Sequence, residues 1–158
     1  MLSNIMKTTT VKELNSSEPK HLIGLAPKST VPFDVVVEFA NLLGDKQWIH
    51  TDKEKCQRDS PFETPIVHGY LLLGLIPNII NKLLNVTDAK ARINYGLNNV
   101  RFPQTLKIDQ EFQVRLVFLS SFDKQNHFGT RFKIIFEPID DSKPFCVAKL
   151  LYIWVEKK

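Results

Sequence analysis

Apolar and polar positions change their spacing about halfway along the chain. Val36, Phe39, Ala40 and Leu43 recur at intervals of three and four residues, which is the spacing of one face of an α-helix. The segment 69–84 is apolar nearly all round, as is typical of a helix buried in a core. Beyond it the apolar runs become short, which favours β-strands.

The ends of the predicted helices carry residues with marked backbone preferences. Pro32 suits a first helical position, and Gly44 suits a C-terminal cap, so Asp45 lies just beyond a helix end. Thr51-Asp52 predicts the N-cap of a short helix over residues 53–58. Within the long apolar segment, Pro77 predicts a bend, because proline removes one backbone donor.

Strand-like runs fill the second half of the chain. They cover residues 92–102, 111–122, 127–137 and 144–156. Polar and apolar residues alternate from Gln113 to Phe118, which indicates a half-buried strand. Turn-forming residues at 123–126 and 140–144 predict antiparallel hairpins. The pattern therefore predicts an α+β fold in which an antiparallel sheet wraps a long apolar helix. We expect residues 1–30 to be an N-terminal lead-in, loosely held in its first half, and residues 31–158 to form one domain.

Composition and charge narrow the functional classes. The chain has 158 residues, of which 43% are apolar and 24% charged, so a single globular domain is expected. The net charge is +4, yet there is no arginine-rich run and no aromatic–basic platform, which argues against nucleic-acid binding. Scattered lysines are typical of a solvated face and would also suit a ligand that carries phosphates.

The sequence indicates neither a secretory signal, nor a membrane span, nor a disulfide framework. Residues 1–20 are polar and lack the apolar stretch of a secretory signal, which favours a cytoplasmic protein. The apolar segment 66–84 contains His68 and three other polar residues, so a buried helix fits better than a membrane span. Cys56 and Cys146 are too few and too far apart for a disulfide framework or a zinc site, and we expect two free thiols.

The candidate chemistry lies between the two predicted helices. Asp45 and His50 are five residues apart in a polar turn and can hold a water between a carboxylate and an imidazole. Pro65-Ile66-Val67-His68-Gly69 then opens the apolar helix, where the N–H of Gly69 can support a developing oxyanion. The simpler interpretation is that Asp45 caps the turn, His50 is solvated and Gly69 serves close packing. No nucleophile triad, phosphate loop or metal-ligand cluster competes, so neither a metal nor a cofactor is expected.

Residues 39–77 resemble the hydratase motif of the MaoC-like (R)-specific enoyl-CoA hydratases. In that family Gly-Asp-x-Asn-Pro-x-His is followed by Pro-Ile-x-His-Gly. The pair Gln47-Trp48 in the turn, together with residues 94–102, most resembles the nodulation protein N branch. The resemblance covers roughly Val31 to the C-terminus and implies a hot-dog fold.

The resemblance also implies an activity. It is the reversible hydration of trans-2-enoyl thioesters to (3R)-hydroxyacyl thioesters in fatty-acid metabolism, with coenzyme A or acyl carrier protein as the carrier. Asp45 and His50 would be the acid–base pair, and either one could activate the water. Two alternatives stay open, a hot-dog acyl thioesterase and a non-catalytic acyl-thioester binder.

Several positions depart from the family motif. Gln47 stands where asparagine is usual and offers the same amide, either to orient the pair or to solvent. Trp48 replaces a proline and would line the pocket or the core. His68 matches the motif, with a structural role favoured. Gly74 replaces a serine near the reacting centre and is expected to border the acyl pocket, and Glu63 replaces a glycine.

A homodimer is expected. One hot-dog unit leaves a sheet edge and much of an apolar helix surface in need of cover, and a twofold dimer provides both. The family resemblance implies that the ligand groove lies at or near such an interface.

Overall fold

The computed structural model describes residues 6–124, 127–140 and 142–157. Its helices are α1 (Val11–Asn15), α2 (Phe33–Leu43), α3 (Trp48–Thr51), α4 (Lys53–Asp59) and α5 (Gly69–Leu83). Its strands are β1 (Lys7–Thr9), β2 (His21–Leu25), β3 (Leu84–Val86), β4 (Ala89–Arg101), β5 (Phe112–Lys124), β6 (His127–Pro138) and β7 (Cys146–Glu156). The two predicted turns, 123–126 and 140–144, lie partly outside the described residues.

Five strands form a wholly antiparallel sheet in the order β2-β5-β6-β7-β4. Strands β5, β6 and β7 lie within two residues of the runs predicted from the sequence. In β5 the apolar residues Phe112, Val114, Leu116 and Phe118 are buried and the residues between them are partly exposed. The predicted alternation is therefore confirmed, because one face of the strand meets the core.

Helix α5 packs against the buried face of this sheet. Its buried residues are Leu71, Leu72, Ile76, Ile79, Ile80 and Leu83. They belong to one apolar cluster with sheet residues that include Phe118, Phe132, Phe136 and Leu150. Each such side chain contributes roughly 1.5–3 kcal/mol when it is fully buried. This is the hot-dog arrangement expected from the sequence.

The described part of the predicted lead-in is built into the same body. Strand β1 pairs in parallel with β3, and β2 pairs with β5, so the main sheet begins at His21. Between them, Thr10 and Glu13 form a reciprocal capping box that starts α1. Leu14 in that helix is fully buried. These contacts cover one end of the core with residues that precede residue 31.

The helix ends that lead to the site follow the local sequence. Pro32 has ψ 156° and is the N-cap of α2, one residue before the predicted position. Gly44 has φ 79°, a left-handed conformation that glycine adopts without strain, and its N–H donates to the Ala40 carbonyl over 2.9 Å. Asp52 caps α4 as predicted, because its carboxylate accepts from the Lys55 N–H over 2.8 Å.

Strand β4 is an exposed edge of the sheet. It pairs with β7, and none of the other strands in the described ranges covers its outer side. Ile93, Tyr95 and Leu97 are each 45–49% exposed on this strand. A long edge with exposed apolar side chains is a surface that favours pairing with another chain.

Two further sequence expectations concern membranes and thiols. Among the helices of the described ranges, none combines the length and apolarity that crossing a membrane requires. Cys56 and Cys146 are buried and free, as expected. Burial raises the pKa of the Cys146 thiol to about 11, which makes its thiolate scarce at neutral pH.

Candidate active site

Asp45 lies at the point where α2 ends. The left-handed turn at Gly44 leads the chain out of the helix. The backbone carbonyl of Asp45 accepts a hydrogen bond from Nε2 of His68 over 3.1 Å. Its carboxylate oxygen Oδ2 lies 4.0 Å from the same nitrogen, and the side chain is 44% exposed. Asp45 thus presents a solvent-accessible carboxylate on a tethered backbone.

His50 lies in α3 and is buried, with 8% of its surface exposed. Its Nδ1 is 2.7 Å from the carbonyl oxygen of Ile66. Because a carbonyl only accepts, this geometry assigns the proton to Nδ1 and leaves Nε2 with a free lone pair in the neutral ring. A second hydrogen bond joins Ile66 to this helix, since the Ile66 N–H donates to the Ile49 carbonyl over 3.0 Å.

The environment of His50 favours its neutral form. Burial lowers the pKa of His50 below its usual value, and nearby His68 lowers it further. The hydrogen bond to Ile66 and the charge of Asp45 act in the opposite direction but are smaller than the effect of burial. At neutral pH the ring is therefore a base with an available lone pair.

His68 joins these two residues. It is 3% exposed, and its ring stacks on that of His50 with centroids 3.7 Å apart and planes 23° apart. The edge of the ring meets Phe39 at 5.3 Å. Since Nε2 donates to the Asp45 carbonyl, Nδ1 is an acceptor, and it is buried without a partner among the described residues. His68 therefore supports His50 and ties Asp45 to the start of α5.

The three side chains form one compact cluster. A carboxylate oxygen of Asp45 and one ring nitrogen from each of His50 and His68 lie within 4.8 Å of one another. A water bonded at about 2.8 Å to two atoms spans such a gap. The same atoms suit a metal less well, because the stacked rings hold their in-plane lone pairs in two nearly parallel planes that do not converge on one point between them.

Gly69 begins α5 beside this cluster. The N–H groups of Leu71 and Leu72 donate to the His68 carbonyl, so those of Gly69 and Tyr70 are left without an intrahelical acceptor. A Cβ at Gly69 would lie 2.9–3.1 Å from ring atoms of Phe102. A larger residue here would displace the Phe102 ring, so glycine allows the observed close packing, and the same position offers a helix N-terminal donor.

The other predicted residues lie around the cluster rather than in it. Gln47 is exposed and its side chain makes no hydrogen bond to a described residue, although its carbonyl accepts from the His50 N–H over 3.0 Å. Trp48 is partly buried, with the ammonium of Lys55 4.9 Å from the centre of its ring. Gly74 is exposed on α5, and a Cβ there would meet nothing within 4 Å.

An apolar cavity of about 280 Å³ lies farther along α5. Its walls come from α5, β4 and β7, namely Leu73, Ile76, Pro77, Asn94, Gly96, Leu97, Leu150 and Tyr152. The volume is close to the lower end of the range for small-ligand pockets. Gly74 is not among the lining residues.

Sequence reasoning missed three parts of this site. The sequence did not predict the hydrogen bond from His50 to the Ile66 carbonyl or the stacking of His68 on His50, although Ile66 and His68 belong to the Pro-Ile-x-His-Gly segment. The contact of Phe102 with Gly69 was also missed, because it joins a strand end to a helix start across 33 positions of the chain.

A buried histidine and a carboxylate thus lie together beside the start of the central helix of a hot-dog fold. Residues 15–135 match the model of the MaoC like domain, and the chain belongs to this family of dehydratases and hydratases.

Similar proteins agree with this assignment. The chain is 32% identical over 136 residues to 3-hydroxyacyl-thioester dehydratase Z of Mycobacterium tuberculosis, covering 84% of this chain and 88% of that one. It is 26% identical over 133 residues to nodulation protein N of Rhizobium leguminosarum, covering 83% of each. The fold is similar to that of unliganded R-hydratase PhaJ1 from Pseudomonas aeruginosa, with TM-score 0.69, 20% identity and coverage of 91% and 86%.

Proposed function

We propose that this protein catalyses the reversible hydration of trans-2-enoyl thioesters to (3R)-3-hydroxyacyl thioesters. The observation that carries the proposal is the buried, neutral His50 beside the Asp45 carboxylate at the N-terminus of α5. The family of the chain supports a hydro-lyase, and the (3R) configuration follows the R-hydratase among its structural neighbours.

In the hydration direction, a water lies between the Asp45 carboxylate and Nε2 of His50. Nε2 takes one proton as the water oxygen forms a bond to Cβ of the enoyl group, and Asp45 orients the water and stabilises the imidazolium. Negative charge develops on the thioester oxygen, where the N–H of Gly69 and the positive end of α5 support it. The imidazolium then delivers its proton to Cα, so one water has been added and His50 is neutral again.

The cavity beyond Leu73 is the place for the acyl chain, because it is apolar and its α5 wall begins one helical turn after Gly69. The carrier is coenzyme A or acyl carrier protein, and the mechanism needs no metal or further cofactor. The protein acts in the cytoplasm as a homodimer. The exposed β4 edge with Ile93, Tyr95 and Leu97 supports a dimer through that strand.

The direct test is to incubate the purified protein with crotonyl- through dodecenoyl-coenzyme A and to follow the loss of conjugated enoyl absorbance. Release of free thiol would instead indicate a thioesterase, and tight binding without turnover would indicate a non-catalytic binder. Chiral chromatography of the product should give the (3R) isomer, and a (3S) product would contradict the stereochemical assignment.

Variants of the acid–base pair sharpen this test. Asp45→Asn and His50→Gln should each lower kcat by roughly 10²–10⁴, the usual contribution of a positioned acid or base. The exposed His127, distant in sequence from the pair, provides a matched control as His127→Gln, which should keep the wild-type rate. Near wild-type hydration by both pair variants would refute the assignment.

A further inference from the structure

We propose that the far end of the acyl cavity binds a carboxylate carried at the end of the substrate chain, and that Arg92 receives it. This inference rests on the proposed function and names a substrate class for it: enoyl thioesters of medium-length dicarboxylic acids.

The cavity runs along α5 away from the reacting end. Its lining residues Leu73 and Pro77 follow Gly69 by four and eight positions, which at a rise of ~1.5 Å per residue corresponds to roughly 6 and 12 Å. A carbon chain with bonds of ~1.5 Å advances roughly 1.3 Å per carbon. A chain that starts at Gly69 therefore reaches the Pro77 end at about its ninth or tenth carbon.

Arg92 stands at that end. It lies on β4, two residues before Asn94 of the cavity wall. Its Nη2 donates to the Pro77 carbonyl over 3.3 Å and to Oδ1 of Asn81 over 2.9 Å. The centre of its guanidinium is 4.8 Å from the centroid of the Tyr152 ring. Pro77 and Tyr152 both line the cavity, so the cation contacts two lining residues, while Arg92 itself lies just outside the lining.

The positive charge of Arg92 has no counter-ion among the residues that the structure describes. In the described ranges no carboxylate lies within 4.0 Å of it, whereas Arg58 and Arg115 have Asp59 and Glu137 as partners. Both of its hydrogen-bond acceptors are neutral oxygens. Burial lowers the pKa of Arg92, which reflects the unfavourable desolvation of an uncompensated charge.

A carboxylate would relieve this imbalance. The Nε–H and Nη1–H groups of Arg92 have no acceptor in the part of the chain that the structure describes. They can make charge-assisted hydrogen bonds, which are shorter and stronger than those between neutral groups. The Tyr152 hydroxyl and the Asn94 amide belong to the same wall and offer further donors. Most of the other lining residues, among them Leu73, Ile76 and Leu150, are apolar, so an unbranched chain suits the cavity.

The test measures the binding of saturated, unreactive thioesters. The probes are decanoyl-coenzyme A and the mono-coenzyme A thioester of decanedioic acid, compared by calorimetry on the full-length protein. We expect the dioic probe to bind the wild type about ten- to a hundredfold more tightly, as hydrogen bonds to charged groups imply. Arg92→Gln should reduce this ratio to near one. Arg101→Gln, an exposed arginine at the other end of β4, should keep it.

A second variant is needed in case Arg92→Gln does not fold, because the hydrogen bonds of Arg92 also join β4 to α5. Tyr152→Phe keeps the ring under the guanidinium and removes only the hydroxyl, and it should lower the ratio severalfold. Equal affinity of the two probes for the wild type would overturn the proposal. So would 10-hydroxydecanoyl-coenzyme A binding as tightly as the dioic probe, because then the charge would not be recognised.

The proposed hydratase activity is tested separately with trans-2-hexenoyl-coenzyme A, whose chain is too short to reach Arg92. Hydration of this substrate without any dioic preference would overturn the carboxylate site alone. Absence of hydration with dioic-selective binding would overturn the proposed activity and leave the binding site in place.

Discussion

Replacing His68 with phenylalanine separates its two roles. Phenylalanine keeps the stacked ring against His50 and the edge contact with Phe39 but removes both nitrogens. The Asp45 carbonyl loses the 3.1 Å bond from Nε2, and the buried, unpartnered Nδ1 disappears as well.

The expected effect on stability is small. A lost hydrogen bond costs about 0.5–1.5 kcal/mol, and removing an unsatisfied buried acceptor returns about 1–3 kcal/mol. The two effects offset each other, so the thermal midpoint of His68→Phe should lie close to that of the wild type. Activity should respond differently, because Asp45 is no longer tied to α5. A displacement of about 1 Å in a reacting group lowers the rate by about 10²-fold.

The pH profile gives a second, independent measurement. His68 contributes to the lowered pKa of His50, so its removal should raise that pKa. Because the neutral form of His50 is the active base, the acid limb of kcat/KM should move to higher pH in His68→Phe. The exposed His127→Phe is the matched control and should leave the limb in place. A His68→Phe protein with wild-type kcat and an unmoved acid limb would refute the positioning role.

Three further predictions concern the helix, the buried histidine and the sheet edge. Gly74→Ser should leave the preference for enoyl chain length unchanged and stabilise α5 slightly, since a Cβ there meets nothing within 4 Å and serine is a better helix former than glycine. A changed chain-length preference would place Gly74 in the acyl pocket. The lowered pKa of His50 contributes stability that is fully present above its unfolded pKa of about 6.5 and is lost as the pH falls through the folded value. Thermal melting should therefore show a larger decrease from pH 7 to 5 for the wild type than for His50→Gln, and equal decreases would contradict this. Ile93→Lys should give a monomer in sedimentation equilibrium at micromolar concentration. Ile139→Lys changes an exposed apolar residue that does not lie on β4, and this variant should remain dimeric. If both variants gave the same sedimentation profile, the β4 edge would not be the dimer interface.

The elements that the sequence predicted are those set by neighbouring residues. Gly44 ends α2 and Asp52 caps α4 because each acts on backbone groups within four positions. The alternation in β5 was visible because one face of that strand meets the core and the other does not. The apolar helix after His68 was predicted for a different reason, since most of its residues are apolar on every side, as in buried helices.

The parts that the sequence did not predict depend on distant contacts. His50 donates to Ile66, which follows it by 16 residues, and His68 donates to Asp45 across 23 residues. No local pattern specifies such pairs, because they form only when α3 and the start of α5 pack together. The sequence did not predict that part of the N-terminal segment packs on the core, because Val11 and Leu14 are isolated apolar residues in a polar stretch. Both are nevertheless buried.

The parallel pairing of β1 with β3 has a consequence for the order of folding. Lys7 pairs with Leu84, and the Val11 N–H donates to the carboxylate of Asp88, each across 77 residues. Such long loops close only after the intervening chain is compact, since closure entropy opposes them until other contacts exist. Residues 7–15 therefore dock late and detach early, which makes this segment the one where amide exchange and proteolysis report opening before the sheet unfolds.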